Sequence, residues 1–83
     1  MKHLLSLWDQ IQVELAVKYP GVAPLLRDAK PVADAQSRDS FVLSVASDFC
    51  YRQLRATKNL DSLLDVVRDV TRAPWRCRVI QAD

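Results

Sequence analysis

The chain has 83 residues, an apolar fraction of 49% and 12 basic against 10 acidic side chains for a net charge of +2. That is enough for one domain, taken as 1–83, with a modest core, and it excludes intrinsic disorder. A balance so near neutrality does not demand nucleic acid, though it leaves room for a local basic patch, and no apolar run approaches the ~18–20 residues of a membrane span.

The opening Met-Lys-His-Leu-Leu-Ser-Leu-Trp fails as a signal peptide, because Trp8, Asp9, Gln10 and Gln12 break its apolar stretch. The expectation is therefore a soluble cytoplasmic protein. Leu4, Trp8, Ile11 and Leu15 recur at spacings of four, three and four, with Leu5, Leu7 and Ala16 widening the stripe. This predicts an amphipathic helix over about residues 3–18. Tyr19-Pro20-Gly21 stops it: the residue before a proline is pushed out of helical conformation, and Gly21 can take the left-handed exit.

Pro24 suits the first turn of a short second helix, about 22–29, with Val22, Leu25, Leu26 and Ala29 facing inward. Pro31 ends it and leaves Lys30 extended. Residues 31–35 read as a short edge strand, where a proline does least harm. Gln36-Ser37-Arg38-Asp39-Ser40 is a polar turn. The strand 41–46 then sets Phe41, Leu43 and Val45 on one face and Val42, Ser44 and Ala46 on the other, completing a hairpin.

Ser47-Asp48 can cap a helix start. Beyond it Phe49, Tyr51, Leu54, Leu60, Leu63, Leu64, Val67 and Val70 supply an apolar side. Thr57-Lys58-Asn59 interrupts that side, so the segment is one kinked helix or two, with Asn59 or Asp61 as the second cap. Ala73-Pro74 closes it, and residues 75–80 alternate Trp75, Cys77 and Val79 against Arg76, Arg78 and Ile80 as a last strand. The order helix-helix-strand-strand-helix-strand predicts an α+β fold. Its three-stranded sheet packs against helices on one face, with the last strand joining the hairpin after a helical crossover.

Chemistry-bearing residues are few. One histidine, His3, reads as a surface residue near a terminus, and with two distant cysteines it gives no zinc spacing. Cys50 and Cys77 lie in apolar stretches, as reduced core thiols do. A phosphate cradle needs several glycines, and Gly21 is the only one. Asp61, Asp65 and Asp69, at four-residue intervals, make a solvated helix face within reach of Arg68 and Arg72 rather than a metal site. The expectation is a non-enzyme without cofactor or metal. Trp8 and Trp75 sit within apolar stripes and read as core. The partner-binding candidates are Arg76 and Arg78 on one face of the last strand, then Arg52 and Arg55, which share successive helical turns with Lys58.

Leu7-Trp8-Asp9-Gln10-Ile11, Leu25-Leu26-Arg27-Asp28-Ala29-Lys30-Pro31-Val32, Phe41-Val42-Leu43-Ser44-Val45 and Lys58-Asn59-Leu60 before Leu63-Leu64 carry a resemblance. So do Phe49 at the head of the long helix and the closing Trp75-Arg76-Cys77-Arg78-Val79. Together they resemble the small C-terminal domain of bacterial DNA polymerase III gamma/tau subunits, over nearly the whole chain. The N-terminal domain of the replication initiator DnaA, which serves helicase loading and self-association, is the alternative. It usually carries a Phe-x-x-Trp pair near the second helix, where Val22 to Leu26 has no aromatic. Both families resemble the KH arrangement without its Gly-x-x-Gly loop.

The gamma/tau resemblance implies a DNA-replication tether at the end of a longer protein. Such a tether joins the clamp loader to the polymerase III catalytic (alpha) subunit and sometimes to the replicative helicase, and the fragment itself hydrolyses nothing. The docking surface would be the edge of the first strand or the arginine-bearing sheet face. A weak single-stranded DNA binder and a self-associating domain are the other readings.

Overall fold

A computed structural model describes residues 2–27, 29–34 and 39–82. Residues 36–38 of the turn expected at 36–40, Ala35 of the strand expected at 31–35, Asp28 of the expected second helix and the His3 side chain lie outside the described residues.

The N-terminal amphipathic segment is helical in two pieces, α1 (Lys2–Ser6) and α2 (Trp8–Lys18). Leu7 separates them at φ −102° and ψ 2°. Its N–H bonds to the Leu4 carbonyl at 3.2 Å while its own carbonyl accepts from Ile11 at 2.9 Å, so the break is one tightened turn. Leu4, Trp8, Ile11 and Leu15 are buried along a narrow arc. Leu5 and Ala16, expected to widen that arc, are exposed.

The chain then turns over Pro20 and Gly21, and Gly21 has no positive φ, so the expected left-handed exit is not used. Instead of a helix over 22–29 there is one turn of 3-10 helix, Ala23–Leu26, with Pro24 near its start. Ala29 already opens β1 (Ala29–Ala33). Strand pairing takes Ala29 and Lys30, opposite Val45 and Ser44, before a second helical turn can form. Val22, Leu25, Leu26 and Ala29 are nevertheless all buried.

β2 (Ser40–Val45) lies between β1, its antiparallel partner, and β3 (Arg76–Gln81), its parallel partner. A parallel pair requires a long crossover, supplied by α3 (Asp48–Arg55) and α4 (Thr57–Thr71). The expected element order and α+β class are thus observed, with the third helical region divided. Ser47 caps α3, its Oγ accepting from the Cys50 N–H at 3.3 Å. Ala56 is extended (ψ 129°) and separates the two helices. Asn59 does not cap α4; its Nδ2 donates to the Gln53 carbonyl at 2.7 Å and satisfies the last turn of α3. α4 ends at Arg72, which takes the left-handed conformation with φ 58°.

Phe41, Leu43 and Val45 face the helices and are buried against Leu15, Leu54, Leu63, Val66 and Val67. At the centre Phe41 meets Trp8 edge-on at 6.1 Å and Trp75 edge-on at 5.9 Å between ring centroids. This is the geometry that opposed ring quadrupoles favour. Both tryptophans are core, as their stripes predict. Trp75 Nε1 is buried with no hydrogen-bond partner among the described residues. Cys50 and Cys77 are free and half-buried, at the margin of the core rather than inside it.

Phe41→Ala is expected to lose ~3–5 kcal/mol in urea unfolding, a large share of the roughly 4–12 kcal/mol available to a chain of this length. Trp75→Phe should lose distinctly less, because an aromatic edge remains and an unpartnered donor goes. Arg72→Gly relieves a left-handed non-glycine residue and should raise stability by about 1 kcal/mol in the same assay.

Candidate functional site

Side chains alternate across a strand, so the register that sends Phe41, Leu43 and Val45 to the helices sends their neighbours the other way. That second face carries Lys30 and Val32 from β1, Ser40, Val42 and Ser44 from β2, and Arg76, Arg78 and Ile80 from β3. Val32, Val42 and Arg78 form one cross-strand row, and Lys30, Ser44 and Ile80 form the next. Val32 is 47% exposed and Ile80 41%, so helices leave this face open. Val42 is buried between its neighbours yet stands apart from the main core cluster. None of these residues is acidic, while Lys30, Arg76 and Arg78 are cationic and exposed.

The four arginines singled out in the sequence do not form one patch. Arg76 lines a hollow with Asp39, Arg68 and Pro74. Arg78 lines a different groove of about 380 Å³, together with Arg55, Tyr51, Leu60 and the strand residues Cys77, Val79 and Ile80. Arg55 is held there by its neighbour one turn back: Nη1 donates to the Tyr51 hydroxyl at 3.2 Å, and the guanidinium stands 5.4 Å from the Tyr51 ring centroid. Arg52 lies outside the groove, in an exposed ion pair with Asp48 at 3.1 Å. Cys77 lines the groove, but burial pushes its thiol up to about 12, against a weaker opposing hydrogen bond from the Leu43 backbone. At neutral pH it is a protonated, unreactive wall.

Phe49 was expected on the apolar side of the long helix and is instead 66% exposed. It borders a hollow of about 600 Å³ formed with Lys18, Tyr19, Leu25 and Lys58. Helical phase would have placed it correctly. Cys50, Tyr51 and Leu54 fall at about 100°, 200° and 140° from it, so the buried arc points away. Val13 and Val17, on the outer flank of α2, are likewise exposed.

One wall of this hollow is tied across helices. Lys18 Nζ pairs with Asp69 Oδ2 at 3.0 Å, and the Tyr19 hydroxyl donates to Asp65 Oδ2 at 2.9 Å. Asp65 and Asp69 of the α4 ladder thus bind the end of α2 rather than Arg68 and Arg72, and all three aspartates stay exposed as expected. Among the described residues no group of three or more His, Cys, Asp or Glu could hold a metal. Among them, too, no helix is long and apolar enough to cross a membrane. No protein family, curated protein or solved structure matches the chain.

The hydrogen bond to Asp69, and then its charge, raise Lys18 above its ordinary 10.5. The hydrogen bond to Asp65, and then its charge, raise Tyr19 above 10.0. Groups whose folded values are raised contribute fully below their unfolded values and lose that contribution as pH climbs through the folded ones. The melting temperature is therefore expected to fall modestly above about pH 10, since both groups are exposed and screened. Lys18→Met with Tyr19→Phe should flatten that decline in a pH series of thermal melts.

Proposed function

We propose that this chain is a non-catalytic protein-interaction domain acting in the cytoplasm as the tethering domain of a DNA polymerase III gamma/tau subunit. It would hold the clamp loader to the polymerase catalytic subunit, with the replicative helicase as a second partner. The observation that carries this reading is the open sheet face. Lys30, Arg76 and Arg78 surround the exposed Val32 and Ile80, with no acidic residue among them. Apolar area at the centre supplies binding energy, and cations around it supply register and encounter rate toward an acidic partner surface. No aromatic ring lies on this face to stack a base, which favours a protein over single-stranded DNA.

The three cations do support a second reading, weak single-stranded DNA binding. That would show a salt slope of roughly −2 in log–log terms, about −0.7 per phosphate neutralised.

Surface plasmon resonance against the purified polymerase III catalytic subunit and the helicase, with nuclease present, tests the tether. Binding that persists near physiological salt and weakens by about tenfold or more in Ile80→Asp or Arg76→Ala/Arg78→Ala is expected. No binding to either protein would overturn the tether. Oligonucleotide retained at low salt and released by moderate salt would put the second reading in its place.

A further inference from the structure

A strand has two kinds of backbone position at a sheet edge: those bonded inward and those left facing out. In β3 the hydrogen-bond pattern fixes which is which. The Arg76 N–H donates to the Asp39 carbonyl at 2.8 Å and the Ala82 N–H to the Val45 carbonyl at 2.8 Å. With the parallel register, Arg76, Arg78 and Ile80 therefore bond to β2, while the amides and carbonyls of Cys77, Val79 and Gln81 face outward. The same register turns the backbone amides and carbonyls of Phe41, Leu43 and Val45 toward β3 and those of Val42 and Ser44 toward β1. Lys30 and Val32 thus bond inward, and Ala29, Pro31 and Ala33 form the opposite edge. Pro31 has no N–H, so the middle donor of that edge is gone. The first-strand edge, an expected docking surface, is the blunted one, and β3 is the open one.

We propose that the groove beside β3 binds an extended acidic peptide segment of a partner protein, which adds to the sheet as a fourth strand. Four consecutive residues, Cys77 to Ile80, line the groove, the length of a short strand. Main-chain donors and acceptors at Cys77 and Val79 supply the ladder. Leu60 and Tyr51 give the apolar wall for alternate side chains, and Arg55 and Arg78 flank it with no acidic lining residue opposite them. Charge complementarity thus selects carboxylates. At the Gln81 end Asp48 is near, its Oδ1 3.5 Å from Gln81 Nε2, but its charge is engaged by Arg52. A nucleic acid suits the groove less well. Its one aromatic, Tyr51, has Arg55 over one ring face, which leaves less of it for a stacked base. This inference rests on the reading of the domain as a protein-docking module and names the ligand's chemistry.

The test is NMR titration of the domain with a synthetic peptide of about nine residues alternating Glu and Val. A second copy of that peptide carries N-methyl groups on alternate amides in one phase, and a third in the other. Slowed amide exchange at Cys77, Val79 and Gln81 is expected, with Arg78 and Ile80 little changed because β2 already protects them. One N-methyl phase should abolish binding and the other keep it. Arg55→Glu/Arg78→Glu should weaken binding by about tenfold or more. Val79→Pro should do the same, and the N-methyl pair decides the matter if that variant does not fold.

Equal binding of both N-methylated peptides, or protection confined to the outward amides of Ala29 and Ala33, would overturn the assignment. So would stronger protection of the same amides by an oligothymidylate, or by a second copy of the domain at high concentration. If no peptide binds while the polymerase subunit still does, the groove assignment falls and the tether stands. If the peptide binds and the polymerase subunit does not, the reverse holds.

Discussion

Phe41 is the residue through which the rest of the molecule is tied. It is fully buried in the middle strand, with Trp8 from α2 and Trp75 from the approach to β3 meeting it edge-on. Those two contacts join an N-terminal helix, a central strand and a C-terminal strand that are far apart in sequence. Because strand side chains alternate strictly, fixing Phe41 inward also fixes Leu43 and Val45 inward and Val42 and Ser44 outward. A one-residue slip would send Phe41 to water and put serines into the core. The composition of the open face therefore follows from how one aromatic residue is packed on the other side.

Legibility in the sequence followed the range of the interaction. The Leu4, Trp8, Ile11, Leu15 stripe, the alternation around Phe41 and the Ser47 cap are decided within a few residues, and all are found where the pattern puts them. The stretch 22–29 departs from its helical pattern because its outcome depends on Val45 and Ser44, which pair with Ala29 and Lys30 from across a hairpin. The acidic ladder Asp61, Asp65, Asp69 is the solvated face that its spacing predicts, but without the local arginine partners. Asp65 and Asp69 are engaged instead by Tyr19 and Lys18 at the end of α2, which carry no signal in the local window. Phe49 is a different case. Its phase against Leu54 is set by the sequence and turns it to solvent, since apolar character alone does not decide burial.

The candidate site was partly legible for the same reason. Arg76 and Arg78 share a face by strand alternation alone. That Arg55 joins Arg78 while Arg52 does not depends on which neighbour one turn back engages each side chain. Tyr51 draws Arg55 toward β3, and Asp48 holds Arg52 in an ion pair outside the groove. Spacing puts both arginines on α3 without choosing between those fates. The register and the backbone donors of β3 required the parallel pairing itself, which no periodicity announces.

The unequal edges of the sheet also govern how copies of this domain can meet. An open-ended stack of sheets needs two competent edges on every subunit, one to accept and one to offer. Pro31 takes the middle donor from the β1 side, which disfavours edge-to-edge growth in a head-to-tail sense. What remains is β3 against β3, an arrangement related by a twofold axis that consumes both open edges at once. One imino acid thus biases edge pairing toward a closed couple, in which self-pairing would compete with an added peptide strand for the same edge.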